Sequence, residues 1–552
     1  MLTVIQPPFG LAPLAWVAIV PFVLACSPSV GFARLAIFAY VVSLFYWLGN
    51  LYWIAPVTVS GWLAFCLYTA LLWPLLVYGV RFCRAKKLPL FLVVPVLFVG
   101  AERLQGLFLG GFFWRHLSHS QYANITLIQI ADLCGAAGLS FLIAMVNGLI
   151  AGLLIAAGKK KLLNFRSLLK IAVVCSAVIA AVAYGRWRIE QSGKFISDGP
   201  LVAAVQSNVP QSVKQSFHAE ETIFDDLLKD STDCAGTGAE LLVWPETMVQ
   251  ANLDQQVLKI TDASYQGRVF DRLLCEHSKD STYVLVGAYG GRPQILEDAT
   301  IRLAARYNSA FLYTPAGSQS PSRYNKIHLV PFGEIVPFKS SCPLLYNLLM
   351  KFTPYDYDYS LDYGSEYTVF EIACGQSLPQ RVYRFGVMIC YEDAVPSIAR
   401  EFAINDSGDK NLHWLVNISN DGWFVRFESD RVFPSTELAQ HTAICVFRAV
   451  ENRLAVLRSV NTGISCLIDT VGRIRNGFLA GTLPAAAMAR TGCSGWFMDR
   501  VPVDKRITFF SKYGQWLDFL CAICLIFLII IPHIRLKIPK IGAKDEKNDQ
   551  KF

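Results

Sequence analysis

Seven long apolar stretches constrain the fold of this chain more than any other feature of its sequence. They lie near residues 11–28, 35–54, 61–80, 88–109, 136–157, 168–185 and 514–532. A helix needs roughly 20 apolar residues to cross the hydrocarbon core of a bilayer, so each stretch predicts a membrane-spanning helix. Because six of the seven precede residue 186, we expect an N-terminal helical bundle and one further helix near the C-terminus.

The segment between the sixth and seventh stretches has the composition of a globular domain. Hydrophobic residues make up 53% of the whole chain and charged residues 17%, and the apolar excess lies in the two membrane regions. Elsewhere, apolar runs of strand length alternate with helical patterns, which is typical of a layered α/β domain. We expect strands near 201–206, 240–244, 283–287, 309–313, 383–389, 414–418, 454–459 and 464–470, and helices near 219–230, 257–278, 394–404 and 436–452.

These changes in composition predict the domain boundaries. We expect a transmembrane bundle of about six helices at 1–185, a tether at 186–198, the globular domain at 199–495, a connector at 496–513, a transmembrane helix at 514–532 and a cytoplasmic tail at 533–552. The predicted fold class is a polytopic α-helical membrane domain joined to an α/β domain.

Three basic clusters next to the apolar stretches predict the orientation of the chain. They comprise Arg81, Arg84, Lys86 and Lys87, then Lys159, Lys160, Lys161 and Arg166, and finally Arg535, Lys537, Lys540 and Lys544. Cytoplasmic loops are enriched in Lys and Arg, so the globular domain should lie outside the cytoplasm, and seven crossings place Met1 outside as well. The net charge of +8 comes largely from these clusters, and no block of interleaved lysine and aromatic residues predicts nucleic-acid binding.

Cys390 follows directly after the apolar strand predicted at 383–389. The residues from 394 onward have a helical pattern, with Pro396 in the first turn. A thiol at such a strand-to-helix junction lies near the positive end of the helix, which favours the thiolate. A lone cysteine in this position is more often a small buried residue, so the interpretation depends on the other motifs.

Two further motifs carry ionisable residues. Glu246 ends the string WPE, directly after the strand at 240–244, and Lys326 lies in a polar turn within the string YNKIHLVPFGE at 324–334.

Together these strings resemble the Glu-Lys-Cys triad of the carbon–nitrogen hydrolase (nitrilase) superfamily. The string at 324–334, with those at 417–424 and 458–463, resembles one membrane-bound branch, the apolipoprotein N-acyltransferases. This resemblance implies an extracytoplasmic, nitrilase-like α-β-β-α sandwich at 199–495. It assigns Cys390 as nucleophile, Glu246 as general base and Lys326 as oxyanion stabiliser.

The resemblance also points to four supporting or substrate-binding residues, Asn325, Glu334, Tyr391 and Glu392. Glu334 and Glu392 would orient Lys326 and the helix start, although acids in these positions could equally be structural. Tyr391 would line the acyl pocket. The family usually has a tryptophan after a Gln-x-x-x-Gln segment, where this chain has Gln215 and then Phe217.

The activity implied is transfer of a fatty acyl chain from a membrane phospholipid, through a cysteine thioester, to the N-terminal diacylglyceryl-cysteine of apolipoproteins. The implied location is the bacterial inner membrane with the catalytic domain periplasmic, and the implied chemistry needs no metal, nucleotide or other cofactor. The family usually has eight membrane helices, and this chain resembles it from the second helix onward.

Two other functions fit parts of the sequence. A membrane-tethered amidase or nitrilase-type hydrolase would use the same three residues with water as the acceptor. A transporter or scaffold would carry the globular domain as an inert appendage, which three intact motifs argue against.

The apolar insertion at 338–363 predicts either a lipid-facing lid or a second small core.

Overall fold

A computed structural model gives the fold of the chain. It describes residues 1–107, 111–158, 164–216, 219–295, 297, 301–339, 341–351, 353, 358–375, 381–429 and 431–530. Some residues discussed above lie outside the described residues, namely 108–109, Lys159 to Lys161, Phe217, residues 340, 352 and 354–357 of the insertion, and 531–552.

The N-terminal region is a bundle of α-helices. Its helices are α1 Val20–Ala25, α2 Phe32–Asn50, α3 Val59–Thr69, α4 Leu72–Ala85, α5 Leu90–Gln105, α6 Ala131–Ala157 and α7 Phe165–Glu190, and its 3₁₀ turns are Ala12–Trp16, Tyr52–Ile54, Leu117–Gln121 and Leu127–Ile130. Among the described residues, four helical segments are long and apolar enough to cross a membrane, Phe32–Asn50, Val59–Ala85, Leu127–Ala157 and Phe165–Phe195.

Each of the seven predicted stretches is helical in the structure. The first and the last form shorter apolar helices, Ala12–Ala25 and Trp516–Ile530, and the fourth forms the 16-residue helix α5. The stretch predicted as one helix at 61–80 is divided between α3 and α4, with Pro74 in the first turn of α4. The prediction of a polytopic helical membrane domain is confirmed.

The remainder of the chain alternates between strands and helices. The strands are β1 Ile196–Gln206, β2 Leu241–Val243, β3 Val249–Asn252, β4 Tyr283–Ile295, β5 Ile301–Thr314, β6 Ser318–Asn325, β7 Val369–Cys374, β8 Arg381–Ile389, β9 Trp414–Ser419, β10 Arg426–Glu428, β11 Arg431–Phe433, β12 Ala455–Val460, β13 Cys466–Ile468, β14 Ile474–Arg475 and β15 Gly495–Asp504. The helices are α8 Ser192–Phe195, α9 Gln211–Lys214, α10 Ala219–Ala235, α11 Gln255–Leu258, α12 Gln266–Ser278, α13 Pro343–Met350, α14 Pro396–Ala403, α15 Thr436–Asn452, α16 Phe509–Tyr513 and α17 Trp516–Ile530.

Two sheets stack face to face. The first has the order β15-β1-β2-β4-β5-β6 with β3 also paired to β4, and the second has the order β14-β13-β12-β9-β8-β7. The Ser459 hydroxyl in β12 lies 2.9 Å from the carbonyl oxygens of Val205 and Val243 in the first sheet. Helices α10 and α12 cover the first sheet, and α14 and α15 cover the second. The predicted α-β-β-α sandwich is therefore confirmed.

The two segments that join the sandwich to the membrane helices differ from the expected tether and connector. Helices α7 and α8 and the first residues of β1 occupy 186–198. Strand β15 occupies most of the expected connector and pairs antiparallel with β1, from Ile196 opposite Asp504 to Gln206 opposite Gly495. Strand β15 contains Arg500 and Pro502, and proline is not typical of strands. Its partner β1 lies about 300 residues earlier in the chain. Local sequence patterns therefore give little sign of β15.

Helix α15 is the element through which the sandwich packs on the bundle, and residues 437–452 of it are all buried. Gly135 interrupts α6 with a φ of 66°, and the N–H of the next residue, Ala136, donates to Glu451 Oε1 of α15 at 2.9 Å. Arg453, just after α15, pairs with Asp132 of α6 at 2.6 Å. These buried contacts fix the sandwich against the membrane helices, because the buried charges of Arg453 and Asp132 do not have water as an alternative partner.

Candidate active site

The three predicted catalytic residues each follow a strand of the sandwich. Glu246 lies beyond β2, Lys326 follows β6 and Cys390 follows β8. Their exposed fractions are 5%, 1% and 8%, and all three line the same cavity. The structure therefore brings together an acid, an ammonium and a thiol whose positions in the chain span about 145 residues.

Glu246 is held by three donors. Its Oε1 accepts a hydrogen bond from Asn308 Nδ2 at 2.6 Å and lies 3.3 Å from Lys326 Nζ. Its Oε2 accepts one from the backbone N–H of Asn420 at 2.8 Å. Both carboxylate oxygens are therefore fixed in place, and the group faces the cavity in one orientation.

Lys326 lies between two carboxylates. Its Nζ is 2.8 Å from Glu334 Oε2 and 3.3 Å from Glu246, and Asn308 also donates to Glu334 Oε1 at 2.8 Å. Burial alone would lower the pKa of Lys326, but the charges of Glu246 and Glu334 outweigh it and raise that pKa above its ordinary value. Lys326 is therefore a permanent cation beside the thiol.

The backbone at Cys390 is strained, and its thiol lies at the start of a 3₁₀ turn and not at the N-terminus of α14. Its φ is 53°, a left-handed value that non-glycine residues rarely adopt. A 3₁₀ turn, Cys390–Ala394, follows, and α14 begins only at Pro396. The expectation that a helix end favours the thiolate is therefore wrong. Burial and the charge of Glu246 raise the pKa of Cys390, with Lys326 opposing them, so the resting thiol holds its proton and needs a base.

Glu392 points away from the cavity and joins two loops of the site. Its carboxylate accepts hydrogen bonds from the backbone N–H groups of Ile327 at 2.7 Å, His328 at 2.9 Å and Ile389 at 2.7 Å. The Tyr324 hydroxyl donates to it at 2.8 Å. Burial raises the pKa of Glu392 to about 7, while backbone donors oppose this shift. The carboxylate thus fixes the turn that carries Lys326 against the strand that carries Cys390.

The other two predicted supporting residues differ in their placement. Tyr391 lines the cavity, and its hydroxyl accepts from the Phe113 N–H at 2.9 Å and lies 3.2 Å from the Gly111 carbonyl oxygen. It therefore contacts a loop of the membrane domain. Asn325 lies outside the cavity, where its Oδ1 accepts a hydrogen bond from Ser309 at 2.7 Å.

The cavity is largely apolar and is shared by the two parts of the molecule. Its volume is about 380 Å³, within the range of sites that bind small molecules. Its membrane-domain wall includes one face of α3 and the turn before it, formed by Val57, Thr58, Gly61, Ala64, Phe65 and Tyr68. The thiol of Cys390 thus opens toward a surface that belongs to a membrane helix.

The described part of the insertion at 338–363, which we call the arm, lies beside the cavity. Its helix α13 has no buried residue, and Leu344 and Leu348 are 85% and 51% exposed. Leu349 of the same helix lines the cavity. A helix without a buried residue is not the centre of a second core, so that alternative is wrong for the described part of the insertion.

One group of described residues has the ligand chemistry of a metal site. The ligand atoms of Asp421, Glu437 and His441 all lie within 4.8 Å of one another. However, the Arg458 guanidinium lies 3.7 Å from Asp421 and also pairs with Asp393. These carboxylates are thus already balanced by protein cations, and we interpret the group as a cluster of ion pairs.

Some residues of the site were not predicted. Asn308 bridges Glu246 and Glu334 from the middle of β5, where no neighbouring residue marks it as special. Asn420 contributes a backbone N–H, which no side-chain pattern reveals. Arg458 lies within a string that carried the family resemblance but suggested no role.

We predict that Glu392→Gln will destabilise the protein by about 2–4 kcal/mol. The new NH₂ group would face N–H donors that now bind a carboxylate, and hydrogen bonds to a charged group are worth roughly 1.5–3 kcal/mol each. Denaturant unfolding of the detergent-solubilised protein measures the change.

Glu371→Gln makes the same chemical change on an exposed residue of β7 and should alter stability little. Tyr324→Phe removes one of the donors to Glu392, and its loss of stability should be smaller than that of Glu392→Gln and larger than that of Glu371→Gln. Equal stability of Glu392→Gln and Glu371→Gln would contradict the role given to this carboxylate.

Comparisons with known proteins identify the family. The carbon–nitrogen hydrolase model matches residues 201–478, and that of the apolipoprotein N-acyltransferase N-terminal domain matches 1–149. The apolipoprotein N-acyltransferase of Geobacter metallireducens is 32% identical over 494 residues, which cover 85% of this chain and 83% of that protein. That of Chlorobaculum tepidum is 26% identical over 530 residues, or 93% and 91% of the two chains.

Among solved structures, an amidase from Nesterenkonia sp. aligns at 14% identity with a TM-score of 0.36, over 56% of this chain and 92% of its own. The two family models and the long matches to full-length relatives support an acyltransferase and not the membrane-tethered amidase or an inert scaffold. The chain belongs to the apolipoprotein N-acyltransferases.

Proposed function

We propose that the enzyme transfers a fatty acyl chain from a membrane phospholipid to the N-terminal amine of an S-diacylglyceryl-cysteine lipoprotein, through a thioester on Cys390. The observation that carries this proposal is the shared cavity. Cys390, Glu246 and Lys326 open into an apolar space whose opposite wall is α3. A lipid chain in the membrane can enter such a space without first passing through water, which suits a phospholipid donor.

In the first half-reaction the Cys390 sulfur attacks the carbonyl carbon of the phospholipid ester. Glu246 takes the thiol proton as the sulfur–carbon bond forms, and the Lys326 ammonium stabilises the charge on the carbonyl oxygen. The ester C–O bond then breaks, Glu246 returns the proton to the departing alcohol, and a lysophospholipid leaves. The fatty acyl chain remains bound to Cys390 as a thioester.

In the second half-reaction the neutral α-amine of the lipoprotein attacks the thioester carbonyl. Glu246 accepts a proton from the attacking nitrogen, the C–S bond breaks, and the proton passes to the Cys390 sulfur. The products are an amide and the free thiol. Thioesters react readily with amines, so the two steps together exchange an ester for a more stable amide.

The surrounding residues support this chemistry. Glu334 and Asn308 hold Lys326 and Glu246 in place, and Glu392 fixes the turn after Lys326. Tyr391 forms part of the acyl pocket and contacts the membrane-domain loop. No step of this scheme requires a metal or an organic cofactor.

The orientation follows from the basic residues at the end of α4. Arg84 donates to the carbonyl oxygens of Val23 and Leu24 at 2.8 Å, and Arg81 donates to those of Ser27 and Val30. These contacts lie near the start of α2, and Trp53, just after its end, lines the cavity. The 19 residues of α2 span roughly 28 Å, about the thickness of the hydrocarbon core. With basic residues cytoplasmic, the catalytic domain lies in the periplasm and the protein in the bacterial inner membrane.

Cys390→Ser should abolish the acyl adduct while leaving the protein folded, because a hydroxyl is nearly the size of a thiol but a far weaker nucleophile here. Peptide mass spectrometry of protein incubated with phospholipid should find one acyl chain on Cys390 of the wild type and none on the variant. Cys342→Ser, on the exposed arm, should retain the full adduct. A normal yield of thioester on another cysteine would overturn the assignment.

The orientation can be tested at the same exposed cysteine. Cys342 is the one cysteine of the catalytic domain that is exposed, and a membrane-impermeant maleimide added to intact spheroplasts should label it. Cys342→Ser should lose most of this labelling, which shows that the signal comes from the domain. If Cys342 is protected until the membrane is broken, the domain is cytoplasmic and the proposed orientation is wrong.

We also propose that the arm at 338–363 guides the lipid chains to the cavity. Leu344→Ser combined with Leu348→Ser should reduce turnover of a long-chain phospholipid at least tenfold, since each leucine contributes roughly 1.5–3 kcal/mol of apolar transfer. Turnover of a short, water-soluble thioester should change little, because the catalytic residues are untouched.

Val382→Ser removes a similarly exposed side chain, 55% exposed, from β8, and should leave both activities unchanged. Equal loss on the long and the short substrate, with a lower melting temperature, would show that the arm is structural.

A further inference from the structure

Five ionisable side chains form a closed cluster beneath Cys390. Asp393 lies in the turn after the cysteine, Asp421 in the turn after β9, Glu437 and His441 on α15, and Arg458 on β12. Their exposed fractions are all 1% or less. The cluster therefore consists of buried charges that form ion pairs with one another, and it lies on four different elements.

Both ring nitrogens of His441 face carboxylate oxygens. Nε2 lies 2.8 Å from Asp393 Oδ1, and Nδ1 lies 3.1 Å from Glu437 Oε1 and 3.3 Å from Asp421 Oδ1. A neutral imidazole would present a lone pair to one of these acids, whereas an imidazolium presents a proton to each side. Although burial lowers it, the charges of Asp393 and Asp421 raise the pKa of His441 well above its ordinary value. His441 is therefore a cation.

This cation is adjacent to the nucleophile. His441 and Cys390 line the same cavity, and the Trp114 ring lies 5.5 Å from the His441 ring and 6.2 Å from that of Tyr391. The Trp114 ring covers the imidazolium, which is itself 1% exposed, so its field reaches the sulfur with little screening by water. It opposes the effects of burial and Glu246 on the pKa of Cys390.

We propose that His441 is a positioning residue for the acyl transfer, whose imidazolium shields the Cys390 sulfur from the buried carboxylates and favours its negative charge during attack. This inference rests on the proposed function, in which Cys390 is the nucleophile. The charges that act on the pKa of Cys390 include those of Glu246, Lys326, Asp421 and His441. Without His441, the ion pairs that the described residues offer to Asp393 and Asp421 would reduce to those with Arg458, so more of their negative charge would act on the sulfur.

The test is the pH profile of Cys390 alkylation by iodoacetamide, followed by peptide mass spectrometry of the full-length protein in detergent micelles. His441→Gln should move the midpoint of the profile upward by at least one pH unit, and hence slow alkylation about tenfold below the midpoint. His277→Gln, on the outer helix α12 with a hydrogen bond to Ser231, should leave the midpoint unchanged. A His441→Gln profile that coincides with that of the wild type overturns the proposal.

A second variant keeps the test decisive if His441→Gln does not fold. Burial and Asp421 raise the pKa of Glu437 to about 7, so Glu437 is ionised where the thiol is titrated. Glu437→Gln keeps the shape of the side chain, removes one negative charge and leaves His441 paired with Asp393. The midpoint of the alkylation profile should therefore move to a lower pH. An unchanged or higher midpoint would show that the cluster does not act on the sulfur. Alkylation of Cys390 needs neither lipid nor lipoprotein. A wild-type protein that shows no acyl transfer would therefore refute the proposed function, while the alkylation profiles would still decide the role of His441.

Discussion

The burial of helix α15 is the constraint on which the rest of the structure depends. The helix lies between the second sheet and the membrane bundle, and residues 437–452 are all buried. Every charge on it must therefore find a partner inside the protein. Glu437 and His441 find theirs beside Cys390, while Arg448 and Glu451 pair with each other at 2.8 Å. One helix thus joins the chemistry of the site to the packing of the two domains.

Sequence patterns predicted the parts of the site that lie at the ends of strands. Glu246 and Cys390 each follow a short apolar run, and the change from apolar to ionisable residues marks them, whereas Lys326 lies in a polar turn that only the string at 324–334 marks. The same reasoning failed at Cys390 itself, because a 3₁₀ turn separates the thiol from α14, and no pattern distinguishes that turn from the first turn of a helix. Asn308 and the Asn420 N–H act through positions that only the packing of two distant strands creates. Strand β15 depends in the same way on pairing with β1.

The cavity shows how a nitrilase-like sandwich is adapted to a membrane substrate. One wall carries the ionisable groups, and the other is a face of α3 in which Gly61 and Ala64 leave room between larger side chains. Since the two walls belong to different domains, neither domain alone contains a complete site. The loop contacts of Tyr391 and the buried pair between Arg453 and Asp132 keep the walls at a fixed separation.

The pairing of β1 with β15 has a mechanical consequence. Both attachments of the catalytic domain leave from adjacent, hydrogen-bonded strand ends, at Ile196 and Asp504, and Arg506 joins them by donating to the Arg188 carbonyl oxygen at 2.8 Å. A domain on one flexible linker could swivel above the bilayer, but two clamped points side by side resist torsion about the membrane normal. The cavity therefore keeps one orientation relative to the membrane helices, and the donor lipid and the acceptor lipoprotein reach it in turn without rotation of the catalytic domain.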